Sequence, residues 1–326
     1  YRINGLYSPL GWLSWGQIAF EWDDAQGSEP KMRTFINTNL AKAYHEQEGN
    51  KPEWQRLHER ADNANHRVGA PCNDVCFLTA GVDVQANRIE AYITGWGEGK
   101  RNWCIDYIVL EGDTDKPEVW EHLGNLLQST YVREDGLELK VIFTAIDANY
   151  NKRAVHDFCA KYDSTKIVPI QGRDGLGTIF SAPQTVSLTE AGKKIGKTKV
   201  YGVGVSMLKS EVYGWLKLDM NEDGTSPPCY CHFPQFDNHF FKSLTAESLR
   251  MVKNKAGYSK LEWKKDYERN EVLDTFIYSR AAAAIFGIDR FTKDTWDAFK
   301  AVGVNPKITP KSVKKTDYWQ NEKKLW

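Results

Sequence analysis

The sequence predicts an α/β fold, with a mixed β-sheet flanked by helices and a helical N-terminal lead segment. Between residues 77 and 110, three apolar runs follow one another with only short polar turns between them, a pattern typical of antiparallel strands. From residue 117 onwards, segments with helical spacing alternate with short apolar runs. That alternation is typical of strands joined by helices, which then cover both faces of the sheet.

The first three strands are expected at 77–84, 88–96 and 101–110, with the GEGK sequence before the third strand as a hairpin turn. A helix then starts at Pro117, because proline is favoured in the first turn. The later elements are expected as strand 139–147, helix 151–162, strand 166–171, strand 199–205, helix 206–218, strand 230–233, helix 237–243, hairpin strands 249–252 and 261–263, and helix 270–287. This order is also that of the ribonuclease H-like fold, in which the first strand is central and lies beside the fourth.

Three segments are expected in the chain: a lead or linker segment at 1–70, the ribonuclease H-like domain at 71–290, and a helix with a basic tail at 291–326. In the lead segment, Trp12, Trp15 and Trp22 recur at helical spacing, and we interpret this aromatic stripe as packing. Residues 46–65 are very polar and are expected to form an exposed helix or a linker.

The charge of the chain limits how it could bind DNA. Its 326 residues include 43 basic and 43 acidic side chains, a formal net charge of zero, so DNA binding would depend on a local basic patch. From residue 305 the tail has six lysines against two acids, hence a net charge of +4, and it is expected to be disordered or lightly docked. The first residue is Tyr1 and not Met, so we expect a part of a longer protein.

Composition also excludes some classes of protein. No apolar run approaches the ~20 residues of a membrane span, and there is no signal peptide pattern, so no membrane partner is expected. Six cysteines in a chain of this size do not make a disulfide framework, and they predict a reducing, intracellular compartment.

Three acids each stand alone in an otherwise apolar element. Asp83 lies inside the first predicted strand, Asp147 ends the strand 139–147, and Asp274 lies in the predicted helix 270–287. Asp147 could instead start a turn or cap a helix, and Asp274 could complement the helix dipole. Asp83 has no such alternative, because its neighbours are apolar and a buried carboxylate is costly without a partner.

Acids delivered to one place by two strands and a helix suit a metal-dependent nuclease. Hydrolysis of a phosphodiester needs an activated water and neutralisation of charge on the leaving oxygen, and two divalent cations ~3.5–4 Å apart supply both. Cations such as Mg²⁺ or Mn²⁺ prefer carboxylate oxygens. The sequence therefore predicts that Asp83, Asp147 and Asp274 are both the metal ligands and the catalytic residues of a two-cation site.

Two further polar residues are candidates for supporting roles. Asn270 lies four residues before Asp274 on the same helical face, so it could orient that carboxylate or cap the helix. Lys209 could contact a phosphate of DNA, although a solvated lysine is the interpretation that its sequence favours.

Two other patterns are rejected as sites. The GKKIGKT sequence at 192–198 has three residues between its glycines where a phosphate-binding P-loop has four. A strand, and not a helix, is expected to follow it. The cysteines and histidines at 229–239, and the pair Cys72 and Cys76, do not have the usual zinc spacings.

Several short motifs together resemble the large terminase subunit of tailed phages, in particular the lambda-like family often called GpA. They are YSPLGWLSW, F-x-NT-x-LA, GVDVQANRIE, W-x-x-L, IDANY, VGV, HFP with LTAE, and N-x-x-LD. The resemblance covers almost the whole chain, and it is the combination that is specific.

The resemblance implies a viral DNA-packaging motor that works in the host cytoplasm. In that family an N-terminal ATPase domain pumps double-stranded DNA into the procapsid, and a C-terminal ribonuclease H-like nuclease cuts the concatemer with two metals. The other implied partners are the small terminase subunit and the portal. This chain has no P-loop or Walker B run, so it resembles the nuclease half with its lead-in, and no ATP hydrolysis is expected from it.

One departure from the family pattern concerns the predicted helix 270–287. The family usually has Asn-His before the helical aspartate, whereas this chain has Asn270 and Glu271, which argues against a catalytic histidine there. Glu271 could add an acid to the site or could point to solvent.

Other functions would fit the same acids. A transposase or a junction resolvase uses the same triad, and the YSPLGWLSW lead argues against both. A module that docks on DNA or the procapsid without cutting is the alternative from a different class.

Overall fold

The computed structural model describes residues 3–9, 11–26, 29–42, 51–62, 66–173, 175–190, 193–253 and 259–302. The helices are α1 (Trp15–Ala25), α2 (Glu29–Thr38), α3 (Trp54–Asp62), α4 (Pro117–Gln128), α5 (Lys152–Cys159), α6 (Val205–Leu216), α7 (Asn238–Leu244), α8 (Glu271–Phe286) and α9 (Lys293–Val302). The strands are β1 (Phe77–Val84), β2 (Arg88–Trp96), β3 (Asn102–Glu111), β4 (Thr130–Val132), β5 (Glu138–Asp147), β6 (Ile167–Gly172), β7 (Gln184–Glu190), β8 (Lys193–Val203), β9 (Cys231–His232), β10 (Glu247–Lys253) and β11 (Ser259–Lys265). Among these helices none is long and apolar enough to cross a membrane.

The strand order is that of a mixed sheet with β1 at its centre. The order is β7-β8-β6-β5-β1-β2-β3-β9, with β4 paired to β5, while β10 and β11 form a separate hairpin. Strands β1, β2 and β3 are antiparallel, and β5 is parallel to β1 on its other side. The predicted fold class is confirmed, including the position of the first strand beside the strand that ends at Asp147.

Most predicted elements lie within a few residues of the observed ones, and the differences have local causes. Strands β4 and β7 were not predicted from the sequence. Strand β7 is polar and pairs with β8 at the edge of the sheet, so it lacks the apolar pattern of a buried strand. Strand β8 begins at Lys193, six residues before the expected strand, and the GEGK turn is a short 3-10 helix at Glu98–Lys100. The basic tail from residue 305 lies outside the described residues.

The sheet has one hydrophobic core on each face. On one face, Phe77 and Tyr92 pack with Phe276 of α8. On the other face, Leu78 and Ile93 form a second core, beneath α4 and α5. Neighbouring residues of a strand point to opposite faces, so β1 contributes to both cores and is buried along its whole length.

Helix α8 lies directly on β1 because residue 81 has no side chain. A Cβ atom built on Gly81 would lie 2.0 Å from the Thr275 carbonyl oxygen and 2.2 Å from the Ser279 backbone nitrogen. Both are backbone atoms of a helix, which cannot move aside as a flexible side chain can. The close approach therefore depends on glycine at this position.

Buried hydroxyl groups hold the helix at that position. The hydroxyl oxygens of Ser279 and Thr79 are 2.9 Å apart, and that of Thr94 is 2.7 Å from Ser279. The indole of Trp96 donates a hydrogen bond of 2.8 Å to the Thr79 hydroxyl. These polar groups satisfy one another inside the core, so α8 is fixed against β1 and β2 in one position.

Replacing Gly81 with alanine is expected to lower the free energy of unfolding by about 1–3 kcal/mol, because the methyl group overpacks a rigid backbone contact. Urea denaturation would measure it. The matched control is Gly214→Ala on α6, where an added Cβ meets no atom within 4 Å, and it should be neutral or stabilising. Equal stability of Gly81→Ala and the wild type would contradict the close approach.

Candidate active site

Asp83 and Asp147 lie side by side at the carboxyl ends of two adjacent parallel strands. Val82 of β1 pairs with Ile146 of β5, so the next residue of each strand is one of the two acids. By strand alternation, Asp83 is on the same face as Gly81, the face that α8 covers. Both acids are buried, with 6% and 7% of their surface exposed.

The surroundings of this pair favour the neutral form of each carboxyl group. Burial raises the pKa of Asp83 to about 6, and the charge of Asp274 adds to the rise. Burial raises the pKa of Asp147 to about 7, and the charge of Asp83 is the next cause. Desolvation and like charge both disfavour ionisation, so full ionisation of the pair near neutral pH is costly unless a cation balances the charge.

The side-chain hydrogen bonds that these two acids accept come from amide groups. Gln85 Nε2 donates to Asp83 Oδ2 over 2.6 Å, and Asn149 Nδ2 donates to Asp147 Oδ1 over 2.9 Å. Each amide lies two residues after the acid that it contacts. An amide donor orients a carboxylate without adding a positive charge.

Asp274 lies in the first turn of α8 and is held differently. Asn270 Nδ2 donates to its Oδ2 over 2.8 Å, and Lys209 Nζ lies 3.4 Å from its Oδ1. Burial raises the pKa of Asp274, although the charge of Lys209 lowers it in part. The backbone of Thr275, the residue after Asp274, packs on Gly81, two residues before Asp83, so the structure brings the three predicted acids into one cluster.

The cluster is not a ready-made metal cage. Within the described ranges, no group of three histidine, cysteine, aspartate or glutamate side chains is arranged to hold a metal ion as it stands. Asp83 and Asp147 are turned towards Gln85 and Asn149, whereas Asp274 contacts Lys209. The carboxylate oxygens have the chemistry that Mg²⁺ or Mn²⁺ requires, and two of the three acids are already adjacent.

Lys209 is not a solvated lysine, and that prediction is wrong. It is on α6 with 7% of its surface exposed, and its Nζ donates to Glu247 Oε1 over 2.7 Å. Helix α6 packs beside α8, so a lysine on its inner face reaches the acids. The alternation of apolar and polar residues along α6 does not reveal this orientation.

Glu247 is a component of the site that the sequence did not reveal. It is 4% exposed, and its Oε1 also accepts a hydrogen bond of 2.7 Å from Asn270. Asn270 precedes α8 but makes no capping hydrogen bond with its side chain, so it orients Asp274 and does not cap the helix. An acid at the start of a short hairpin looks like a surface residue, which is why Glu247 was missed.

Glu90 is a second acid that sequence reasoning missed, and it explains where Glu271 points. Glu90 pairs with Asp83 across the antiparallel strands and is fully buried. Its Oε1 accepts from Arg88 Nε over 2.6 Å and from Arg269 over 2.7 Å. Glu271 accepts from Arg88 over 2.8 Å, so Glu271 belongs to this ion-pair network and does not point to solvent.

The two rejected patterns lie in ordinary structural positions. The His232 ring stacks on Trp103 with the ring centroids 4.7 Å apart, and burial lowers the pKa of His232 to about 3. Within the GKKIGKT sequence, the residues from Lys193 onwards are part of strand β8. None of the six cysteines, all of which are described, forms a disulfide.

Fold and site define a ribonuclease H-like α/β domain with a buried carboxylate cluster where two central strands end beneath one helix. The chain belongs to the family described as the terminase large subunit gpA, endonuclease domain, whose model matches residues 1–296. The resemblance recognised in the sequence motifs is thus confirmed.

Individual relatives agree with the family assignment. The chain is 30% identical to the large terminase subunit of Escherichia phage lambda over 304 residues, which are 90% of this chain and 44% of that protein. It is 27% identical to the large terminase subunit of Enterobacteria phage P21 over 293 residues, or 87% of this chain and 43% of that protein. The chain therefore spans less than half the length of these relatives.

Among solved structures, the chain is similar to the large terminase nuclease from thermophilic phage G20c. The sequence identity is 10% and the TM-score is 0.34, and the match covers 63% of this chain and 81% of that one.

In the absence of metal, ionisation of Asp147 is expected to destabilise the fold. Its pKa rises from an ordinary 3.8 to about 7 in the folded state. Ionisation therefore leaves the free energy of unfolding unchanged below pH ~4, lowers it progressively up to pH ~7, and lowers it by the full amount above that. Asp147→Asn should therefore melt higher than the wild type at pH 8 in EDTA, and the difference should vanish near pH 4.

The control is Asp157→Asn, whose side chain is 65% exposed and which should show no such pH-dependent difference in melting temperature. If Asp147→Asn melted below the wild type at pH 8, the carboxylate would be stabilising in the folded state and the charge assignment would be wrong.

Proposed function

We propose that this chain hydrolyses phosphodiester bonds of double-stranded DNA with Mg²⁺ or Mn²⁺, as the endonuclease region of a packaging terminase that cuts concatemeric DNA. The family assignment supports this. The observation that carries the proposal is the adjacent pair Asp83 and Asp147, buried at the ends of two central strands, whose carboxylates accept side-chain hydrogen bonds from the amides of Gln85 and Asn149. Such a pair is costly to ionise alone and is stabilised when a cation binds.

Each acid has a proposed role in holding cations. Asp83 and Asp147 would share one divalent cation, and Asp274 would complete a second position when its carboxylate turns from Lys209. Divalent cations supply an activated water and charge stabilisation at the leaving oxygen. Gln85 and Asn149 orient the two strand acids, and the burial of the cluster excludes bulk water from their carboxylates.

The path of the DNA is proposed to pass the arginines beside the acids. Arg88 and Arg269 lie between Glu90 and Glu271, and Arg269 keeps 59% of its side chain exposed. With a net charge of zero over the chain, affinity would rest on a few such contacts to phosphates. It should therefore fall with salt, and cleavage should show little sequence preference.

The proposed setting follows from the family. The chain would act in the host cytoplasm together with a terminase ATPase domain, the small terminase subunit and the portal of the procapsid. ATP hydrolysis is assigned to the ATPase domain and not to this chain.

A plasmid cleavage assay tests the proposal. Wild-type protein should cut with Mn²⁺ or Mg²⁺ and should not cut in EDTA. Asp83→Asn should lower the rate by roughly 100-fold or more, because cation-assisted charge stabilisation contributes several kcal/mol. Asp157→Asn, an exposed aspartate on α5, is the matched control and should cut normally.

Cleavage that persists in EDTA would refute the metal-dependent mechanism. Binding of DNA without cleavage in either metal, with Asp83→Asn indistinguishable from the wild type, would favour the docking module.

A further inference from the structure

A buried ammonium group, that of Lys209, lies in the acid cluster and is closer to one carboxylate than to another. Lys209 Nζ lies 2.7 Å from Glu247 Oε1 and 3.4 Å from Asp274 Oδ1. The side chains of Lys209 and Glu247 are 9% and 5% exposed. Two carboxylates therefore share one lysine, and Glu247 is the nearer of the two.

The two halves of the cluster differ in what balances their charge. Asp83 and Asp147 accept side-chain hydrogen bonds from neutral amides, so a cation that binds there displaces no positive charge. Asp274 is paired with the lysine already, so a cation that binds to Asp274 must compete with an ammonium group. Opposite charges in contact inside a protein interact much more strongly than in water.

Glu247 is held firmly enough to keep the lysine in place. The Tyr213 hydroxyl donates to the Glu247 carbonyl oxygen over 2.8 Å and accepts from the Glu247 backbone nitrogen over 3.2 Å. Its side chain also accepts from Asn270 over 2.7 Å. The acceptor for Lys209 is thus fixed from both its backbone and its side chain.

We propose that Lys209 is a latch on the second cation position of the cluster. It competes with a divalent cation for Asp274, and Glu247 holds the lysine when Asp274 turns away to bind the cation. This inference rests on the proposed function, because it assumes that the cluster binds divalent cations. It predicts one tighter cation at Asp83 and Asp147 and one weaker cation at Asp274.

The latch predicts effects of opposite sign for its two residues. Lys209→Met removes the competitor, so the second cation should bind more tightly. Glu247→Gln removes the nearer carboxylate and leaves Lys209 paired with Asp274, so the second cation should bind more weakly. If the two residues merely supported the fold, both substitutions would shift the affinity for the second cation in the same direction.

Titration with Mn²⁺, followed by electron paramagnetic resonance of the free ion, measures both constants in the whole chain without any need for activity. The wild type should show two unequal sites. The second dissociation constant should fall by roughly tenfold in Lys209→Met and rise by roughly tenfold in Glu247→Gln, the scale of a coupling between neighbouring sites.

Control variants show whether a change in Mn²⁺ affinity comes from the charges of the cluster or from altered folding. Lys260→Met and Glu262→Gln on β11 change partly exposed side chains of the same types and should leave both constants unchanged. The double variant Lys209→Met with Glu247→Gln keeps the net charge of the cluster and guards against misfolding of the single variants. The second Mn²⁺ dissociation constant of this double variant should lie between those of the wild type and Lys209→Met.

The outcomes distinguish this inference from the proposed function. If the tighter Mn²⁺ persists in Asp147→Asn, the assignment of the cation site is wrong and the latch fails with it. If Asp147→Asn removes that ion but Lys209→Met and the double variant leave the second constant at its wild-type value, only the latch is overturned. Two equal sites in the wild type would also overturn it.

Discussion

The candidate site depends on one close contact, that of helix α8 with strand β1 at Gly81. Because the helix backbone lies on the strand with no side chain between them, the first turn of α8 comes down beside the end of β1. Asp274 thereby reaches the level of Asp83. The buried hydroxyls of Thr79 and Ser279 fix the helix in this position, so the geometry of the acids is set by core packing and not by the acids themselves.

Charge is balanced unequally around this contact. Glu90 has Arg88 and Arg269 as partners, whereas Asp274 shares Lys209 with Glu247. The side-chain hydrogen bonds of the pair at the strand ends come from neutral amides. A folded protein tolerates such a pair only at a cost in stability. A ligand that supplies positive charge recovers that stability, so the least balanced part of the cluster is the part best suited to a divalent cation.

Much of this arrangement could be predicted from the sequence, and the rest depends on long-range contacts. The apolar runs of β1 and β2 predicted both strands to the residue, and Asp83 and Asp147 were found because each interrupts or ends such a run. Side-chain direction on a helix and the partners of a buried charge are decided by packing between distant segments. The buried position of Lys209 and the role of Glu247 could therefore not be read from local pattern. Strand β7 was missed for a different reason, because its polar sequence lacks the apolar pattern of a buried strand.

The most direct test of the account is the position of bound Mn²⁺ in a crystal of this chain, located by anomalous scattering. The account predicts an anomalous peak between the carboxylates of Asp83 and Asp147, with Gln85 and Asn149 still in contact with those acids. A peak elsewhere, with none between these two carboxylates in a crystal that binds Mn²⁺, would contradict it.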